Sequence, residues 1–238
     1  MSDAFEGVDK TKGGGGKTIR GSTELVLTTE GKEEIRALNR EIIKRGCFWR
    51  IYYSTQMRAA ETAHILTQNC PSTSFMRPSP ELESWHLGSY EGRLVVDVLK
   101  DIQDLVARRP WVVPVGMGPK STKPGESFNT FKNRVLSKVR ELMTLSEEHP
   151  TKRIGVVTHF HDIQLLDAWL AEYQGKPGPE DDFYNPTIYN QEKGYPGEVI
   201  WVHKARDGAW KFTRFDITKY AVLPPGLYFI RHGSTAAN

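Results

Sequence analysis

Arg231, His232 and Gly233 stand directly after Leu227-Tyr-Phe-Ile230, four apolar and aromatic residues that read as a short buried strand. A cation and an imidazole are thereby placed at the carboxyl end of a strand, where open α/β sheets keep their ligand crevices. These residue types suit phosphate chemistry. Arg231 offers a planar fork of donors that can take two phosphate oxygens at once. His232, as neutral imidazole, can attack phosphorus and split one displacement into two through a phosphohistidine. Gly233 lets the backbone approach a ligand closely. Taken alone, the tripeptide also reads as an ordinary strand end, and the rest of the chain must decide.

The strand followed by Arg231, His232, Gly233, Thr235 and Asn238 resembles the opening Arg-His-Gly-x-Thr-x-x-Asn of the histidine phosphatase, or phosphoglycerate mutase-like, family. In that family the motif stands near the amino terminus, and here it follows the others, so the order is read as circularly permuted. The remaining segments run in the family's sequence from residue 20. Gly21 to Gly31 is similar to Gly-x-x-Asp-x-x-Leu-Thr-x-x-Gly, and Ser54, Arg58, Ala59, Thr62 and Ala63 match Ser-x-x-x-Arg-Ala-x-x-Thr-Ala. Lys123 to Phe128 resembles Pro-Gly-Gly-Glu-Ser, and Val156-Val-Thr-His159 resembles Val-Val-x-His-Gly. The resemblance implies that His232 is the nucleophile. It also implies that Arg231, Arg58 and His159 form a positive clamp without a metal or other cofactor, with Thr235 and Asn238 at the substrate site; Asp162, with His161, departs from the family's small residues after this histidine and is expected to shape the leaving-group side of the substrate site. Arg58 falls in the first turn of a helix, where its charge and the free backbone amides both favour a bound phosphate.

One departure bears on the proton donor. Residues 80–92 are similar to the family's Leu-x-Glu-x-x-x-Gly-x-x-Glu-Gly, but with Leu82, Gly88, Glu91 and Gly92 aligned the position of the general acid holds Ser84. Glu83 by a register shift, Glu81, or Asp162 from another loop remain as candidates. His86 reads as a structural or pocket-rim residue.

The elements that must carry these residues are legible as well. Thr28 or Thr29 can cap a helix with Ile35, Leu38 and Ile42 on one face, ended by Gly46. Arg50 to Ser54 reads as a strand, with a helix from Thr55 carrying Arg58. A helix is expected over Val95 to Val106. Ser127 is placed to cap a long helix whose stripe of Phe128, Phe131, Val135, Val139 and Leu142 is core. Glu198 to His203 and Trp210 to Phe215 read as a hairpin around Asp207-Gly208. The sum is an α/β fold, a three-layer α/β/α sandwich on a mostly parallel sheet and phosphoglycerate mutase-like. It forms a single domain over 1–238, with 221–226 as the linker into the permuted first strand.

Composition sets the outer limits. At 238 residues and 38% hydrophobic, the chain can bury the core of one α/β domain, and a net charge of +3 is too mild for a nucleic-acid binder. No apolar run approaches a membrane span. Cys47 and Cys70 match no metal spacing and read as free thiols in a reducing cytoplasm. Residues 1–19, with four consecutive glycines, read as a flexible segment. Gly16-Lys17-Thr18 lacks the first glycine and the preceding strand of a P-loop. Residues 175–196 read as a surface loop near the pocket. The expected activity is hydrolysis of a small phosphomonoester in the cytoplasm; a phosphoglycerate mutase or a non-catalytic phosphate-binding module are the alternatives.

Overall fold

The computed structural model describes residues 20–70, 75–94, 97, 125–173 and 196–235. The readings of 1–19, of the helix Val95 to Val106, of the loop 175–195 and of Asn238 lie outside the described residues. Six strands form one sheet in the order β2-β1-β3-β6-β4-β5: β1 Arg50–Tyr53, β2 Phe75–Pro78, β3 Arg153–Thr158, β4 Val199–Lys204, β5 Trp210–Arg214 and β6 Gly226–Arg231. The four strands from β2 to β6 run parallel, while β4 is antiparallel to both β6 and β5.

Helices cover both faces. α1 (Thr29–Arg45) and α2 (Met57–Thr67) lie on one side, and α3 (Phe128–Glu148) and α4 (Phe160–Tyr173) on the other. Side chains alternate along each central strand, so the two cores separate cleanly. Ile154, Val156, Leu227 and Phe229 join α3 and α4, whereas Val157, Tyr228 and Ile230 join α1 and α2. Caps fix the helix starts. Thr28 Oγ1 accepts from Gly31 N at 3.0 Å, and Ser127 Oγ accepts from Thr130 N at 3.1 Å. Gly46 ends α1 at φ 112°, a conformation that favours glycine. α2 begins at Met57, two residues after the expected Thr55, with Gln56 at the cap.

Cys47 and Cys70 are joined in a disulfide with their Cα atoms 5.8 Å apart, which corrects the free-thiol reading. The cause is tertiary. α1 and α2 pack side by side, and their carboxyl ends bring together two cysteines whose separation of 23 residues carries no local signal. Among the described residues no helix is long and apolar enough to cross a membrane.

Candidate active site

The register of three parallel strands builds the site. Val157 pairs with Tyr53 and with Ile230, and Thr158 pairs with Arg231. The next residue of each strand, Ser54, His159 and His232, therefore emerges at the same carboxyl edge. Backbone bonds lock that edge, from Ser54 N to Val157 O at 3.0 Å and from His232 N to Thr158 O at 3.2 Å. The two imidazole centroids are 5.1 Å apart.

Arg58, in the first turn of α2, reaches between them. Its Nε donates to His232 Nε2 at 3.2 Å and to His159 Nδ1 at 3.3 Å. The rest of the guanidinium is held by the Thr23 carbonyl at 2.8 Å, the Gly21 carbonyl at 3.1 Å and Gln56 Oε1 at 2.8 Å. Burial and the nearby Arg20 lower the Arg58 pKa to about 10, which leaves it charged at neutral pH.

The bonds define the tautomers. A guanidinium only donates and a carbonyl only accepts, so His232 accepts at Nε2 and carries its proton on Nδ1, 2.8 Å from Gly233 O. His159 accepts at Nδ1 and carries its proton on Nε2, 2.7 Å from Ser54 Oγ. Both imidazoles are held well below their usual pKa, first by burial and then by the charge of Arg58. They are neutral at physiological pH. The lone pair of His232 Nε2 faces the Arg58 guanidinium, so an anion drawn to that cation would meet an unprotonated ring nitrogen.

The other expected residues fall into place unequally. Arg231 lies over the Phe160 ring at 4.9 Å, and burial, partly offset by Glu198, lowers its pKa to about 10. Thr235 pairs with Leu27 in an isolated bridge, and its hydroxyl accepts from Arg20. Asp162 sits behind the site in α4. Its Oδ2 accepts from His159 N at 3.2 Å and from the Thr158 hydroxyl, as a capping box does, while buried Oδ1 has no hydrogen-bond partner among the described residues. Burial raises its pKa to about 7.

Of the proton-donor candidates, Glu81 is exposed on the short turn Pro80–Leu82. Ser84 donates to Gly21 O at 2.9 Å, the carbonyl that also receives Arg58. Glu83 bonds the hydroxyl of Thr55, the neighbour of Ser54, and pairs with His86 Nε2 at 3.0 Å.

Sequence reading missed several supports. Arg20 is a third arginine near the site, and its charge acts on Arg58, Arg231 and His232. Gln56 holds Arg58, and Thr62, matched in the motif but given no role, has a hydroxyl that accepts from Gly233 N at 3.2 Å and donates to Arg58 O at 2.8 Å. Their place beside Arg58 in the quoted motif was the available signal. Glu91 accepts from Ser22 N at 2.8 Å and Leu87 N at 2.9 Å, and so ties the segment under Arg58 to the 87–91 turn.

Two neutral histidines and an arginine gather at the carboxyl edge of three parallel strands in an α/β fold, an arrangement able to take an anion. The profile of the histidine phosphatase superfamily (branch 1) matches residues 10–189, and the chain belongs to that superfamily. Solved structures share the fold. The α-ribazole phosphatase from Shigella flexneri is 18% identical, with a TM-score of 0.57 over 87% of this chain and 90% of that one. A mycobacterial glucosyl-3-phosphoglycerate phosphatase in complex with inorganic phosphate is 20% identical, with a TM-score of 0.58 over 85% and 94%. Phosphoglycerate mutase from Bacillus anthracis is 20% identical, with a TM-score of 0.55 over 85% and 90%. No curated protein sequence matches.

Proposed function

We propose that this protein is a phosphatase that hydrolyses a small phosphomonoester through a phosphohistidine on Nε2 of His232. The observation that carries the reading is the bond from His232 Nδ1 to Gly233 O, which leaves Nε2 unprotonated beside Arg58. In the first step Nε2 attacks phosphorus in line with the leaving oxygen. Arg58 and Arg231 hold the charge that spreads over the equatorial oxygens. A phosphate dianion also favours protonation of His159, which turns its Nδ1 from acceptor to donor. Glu83 protonates the leaving oxygen, because Asp162 is occupied in holding His159 and Thr158 and Glu81 faces solvent. Water then cleaves the phosphohistidine.

The test is a rapid quench of turnover with radiolabelled phosphomonoester in the presence of chelator. Acid-labile, base-stable label should appear on His232, and His232→Ala should lose both label and turnover while remaining folded. Label on a serine or aspartate, or undiminished turnover in the variant, would overturn the mechanism.

We further propose that the motif order is a circular permutation. Its support is the seat of β6, which carries the Arg-His-Gly motif between β3 and β4 in the sheet interior. The compartment is a separate matter. Cytoplasmic residence was expected from free thiols, and the Cys47–Cys70 disulfide favours an oxidising compartment instead.

A further inference from the structure

Outside the cluster of Arg58, His159 and His232 stands a second pair of titratable side chains, Glu83, the proton donor proposed above, and His86, which has no part in that mechanism. His86 Nε2 lies 3.0 Å from Glu83 Oε2, and the two side chains are 14% and 12% exposed, so little water screens the pair. The other Glu83 oxygen, Oε1, accepts from the Thr55 hydroxyl. The backbone around the pair is clamped. His86 N donates to Glu126 Oε1 at 3.2 Å, and Glu126 N donates to His86 O at 2.9 Å. Arg134 from α3 pairs with Glu126 and donates to the Glu81 and Glu83 carbonyls at 2.9 and 2.7 Å. Trp85 Nε1 donates to Glu126 O at 3.0 Å. Such support exceeds what a rim residue needs and fits a side chain whose position matters.

We propose that His86 is a positioning residue that acts through Glu83, the two sharing one proton that serves the leaving group. The inference rests on Glu83 as the general acid. An isolated glutamate loses its proton about two pH units below an isolated imidazole, so alone it is ionised at neutral pH and has nothing to donate. A coupled carboxylate and imidazole hold one proton between them across that window. As the phosphorus–oxygen bond to the leaving group breaks, this proton passes from Glu83 to the departing oxygen, leaving carboxylate and neutral imidazole. As water attacks the phosphohistidine, its proton returns to the pair, and phosphate and free His232 are released. Among the described residues, the other charged and titratable groups on the surrounding elements include Arg134 and Glu126, paired with each other, exposed Glu81, Glu91 bound to Leu87 N, His161 against Trp85, and buried Asp162 and His159.

The experiment compares wild type, Glu83→Gln and His86→Gln on an alkyl phosphate and an activated aryl phosphate between pH 5 and 8. Glu83→Gln should cut kcat/KM on the alkyl substrate by about 10² at every pH, with a far smaller loss on the aryl one. His86→Gln should show a similar alkyl loss at pH 7 that recovers as the pH falls toward 5, because the lone carboxylate then regains its proton. Added imidazole should restore part of the activity of His86→Ala at pH 7. Equal losses on both substrates in Glu83→Gln would overturn the assignment of Glu83. An alkyl-selective Glu83→Gln beside a His86→Gln profile that runs parallel to wild type would overturn the role of His86 alone. Circular dichroism separates either result from misfolding.

Discussion

Replacing Asp162 by asparagine should change how the stability of this protein responds to pH. The carboxyl is 2% exposed, and burial raises its pKa from 3.8 to about 7. Between those values the native state holds a proton that the unfolded chain has lost, so stability falls as pH rises through the window and levels off above about 7. A shift of about three units at ~1.4 kcal/mol each sets a ceiling of about 4 kcal/mol. His159 and His232 act in the opposite sense. Their depressed pKa values mean that stability rises with pH until the unfolded imidazoles deprotonate near 6.5. The wild-type curve is therefore a sum, and the difference from Asp162→Asn isolates one member. Urea unfolding followed by tryptophan fluorescence at pH 4.5, 6 and 7.5 would measure it. The variant should gain on wild type by about 2–4 kcal/mol from the lowest pH to the highest. A difference that stays constant with pH would show that Asp162 is already ionised in the native state, and the account of its burial would fail.

Two further outcomes follow from packing. A Cβ on Gly31 would stand 2.1 Å from Ser234 O, a backbone atom, so Gly31→Ala should displace the loop after the nucleophile and lower kcat by roughly 10²; unchanged kinetics would mean the loop does not position His232. Truncation after Gly226 removes β6 and leaves two unpaired edges between β3 and β4, so the product should be insoluble or lack a cooperative melt; a soluble fragment with a cooperative thermal transition would refute both the closing role of β6 and the permuted reading.

The positions of His232, Arg58 and His159 at one edge of the sheet were readable because each depends on local pattern: an apolar run that stops at a histidine, or a helix start after a strand. The core stripe of α3 was readable for the same reason, since one face repeats every three to four residues. What stayed hidden depends on adjacency across the fold. The Cys47–Cys70 disulfide requires the ends of α1 and α2 to meet, and the hold of Gln56 and the Gly21 carbonyl on Arg58 requires two loops to converge. The sequence offers three carboxylates as general acid, and the proposal of Glu83 draws on contacts it does not carry: Asp162 engaged with His159, Glu81 at the surface and Glu83 paired with His86. Arg20 stands just before the matched segment Gly21 to Gly31 and carries no signal of its own, because its partner Thr235 is 215 residues away.

The seat of β6 has a consequence for how the protein reaches its native state. Gly226 pairs with Arg153, 73 residues earlier (226 − 153), so joining β3 to β4 demands closure of a long loop before any reward is collected. Folding should be slow for a domain of this size, with the unclosed sheet as the vulnerable species. Arg231 lies on that strand and His232 follows it, so under the proposed mechanism no partly folded form without β6 can turn over substrate. Recovery of phosphatase activity during refolding would then be a direct clock for insertion of the central strand, read without any label.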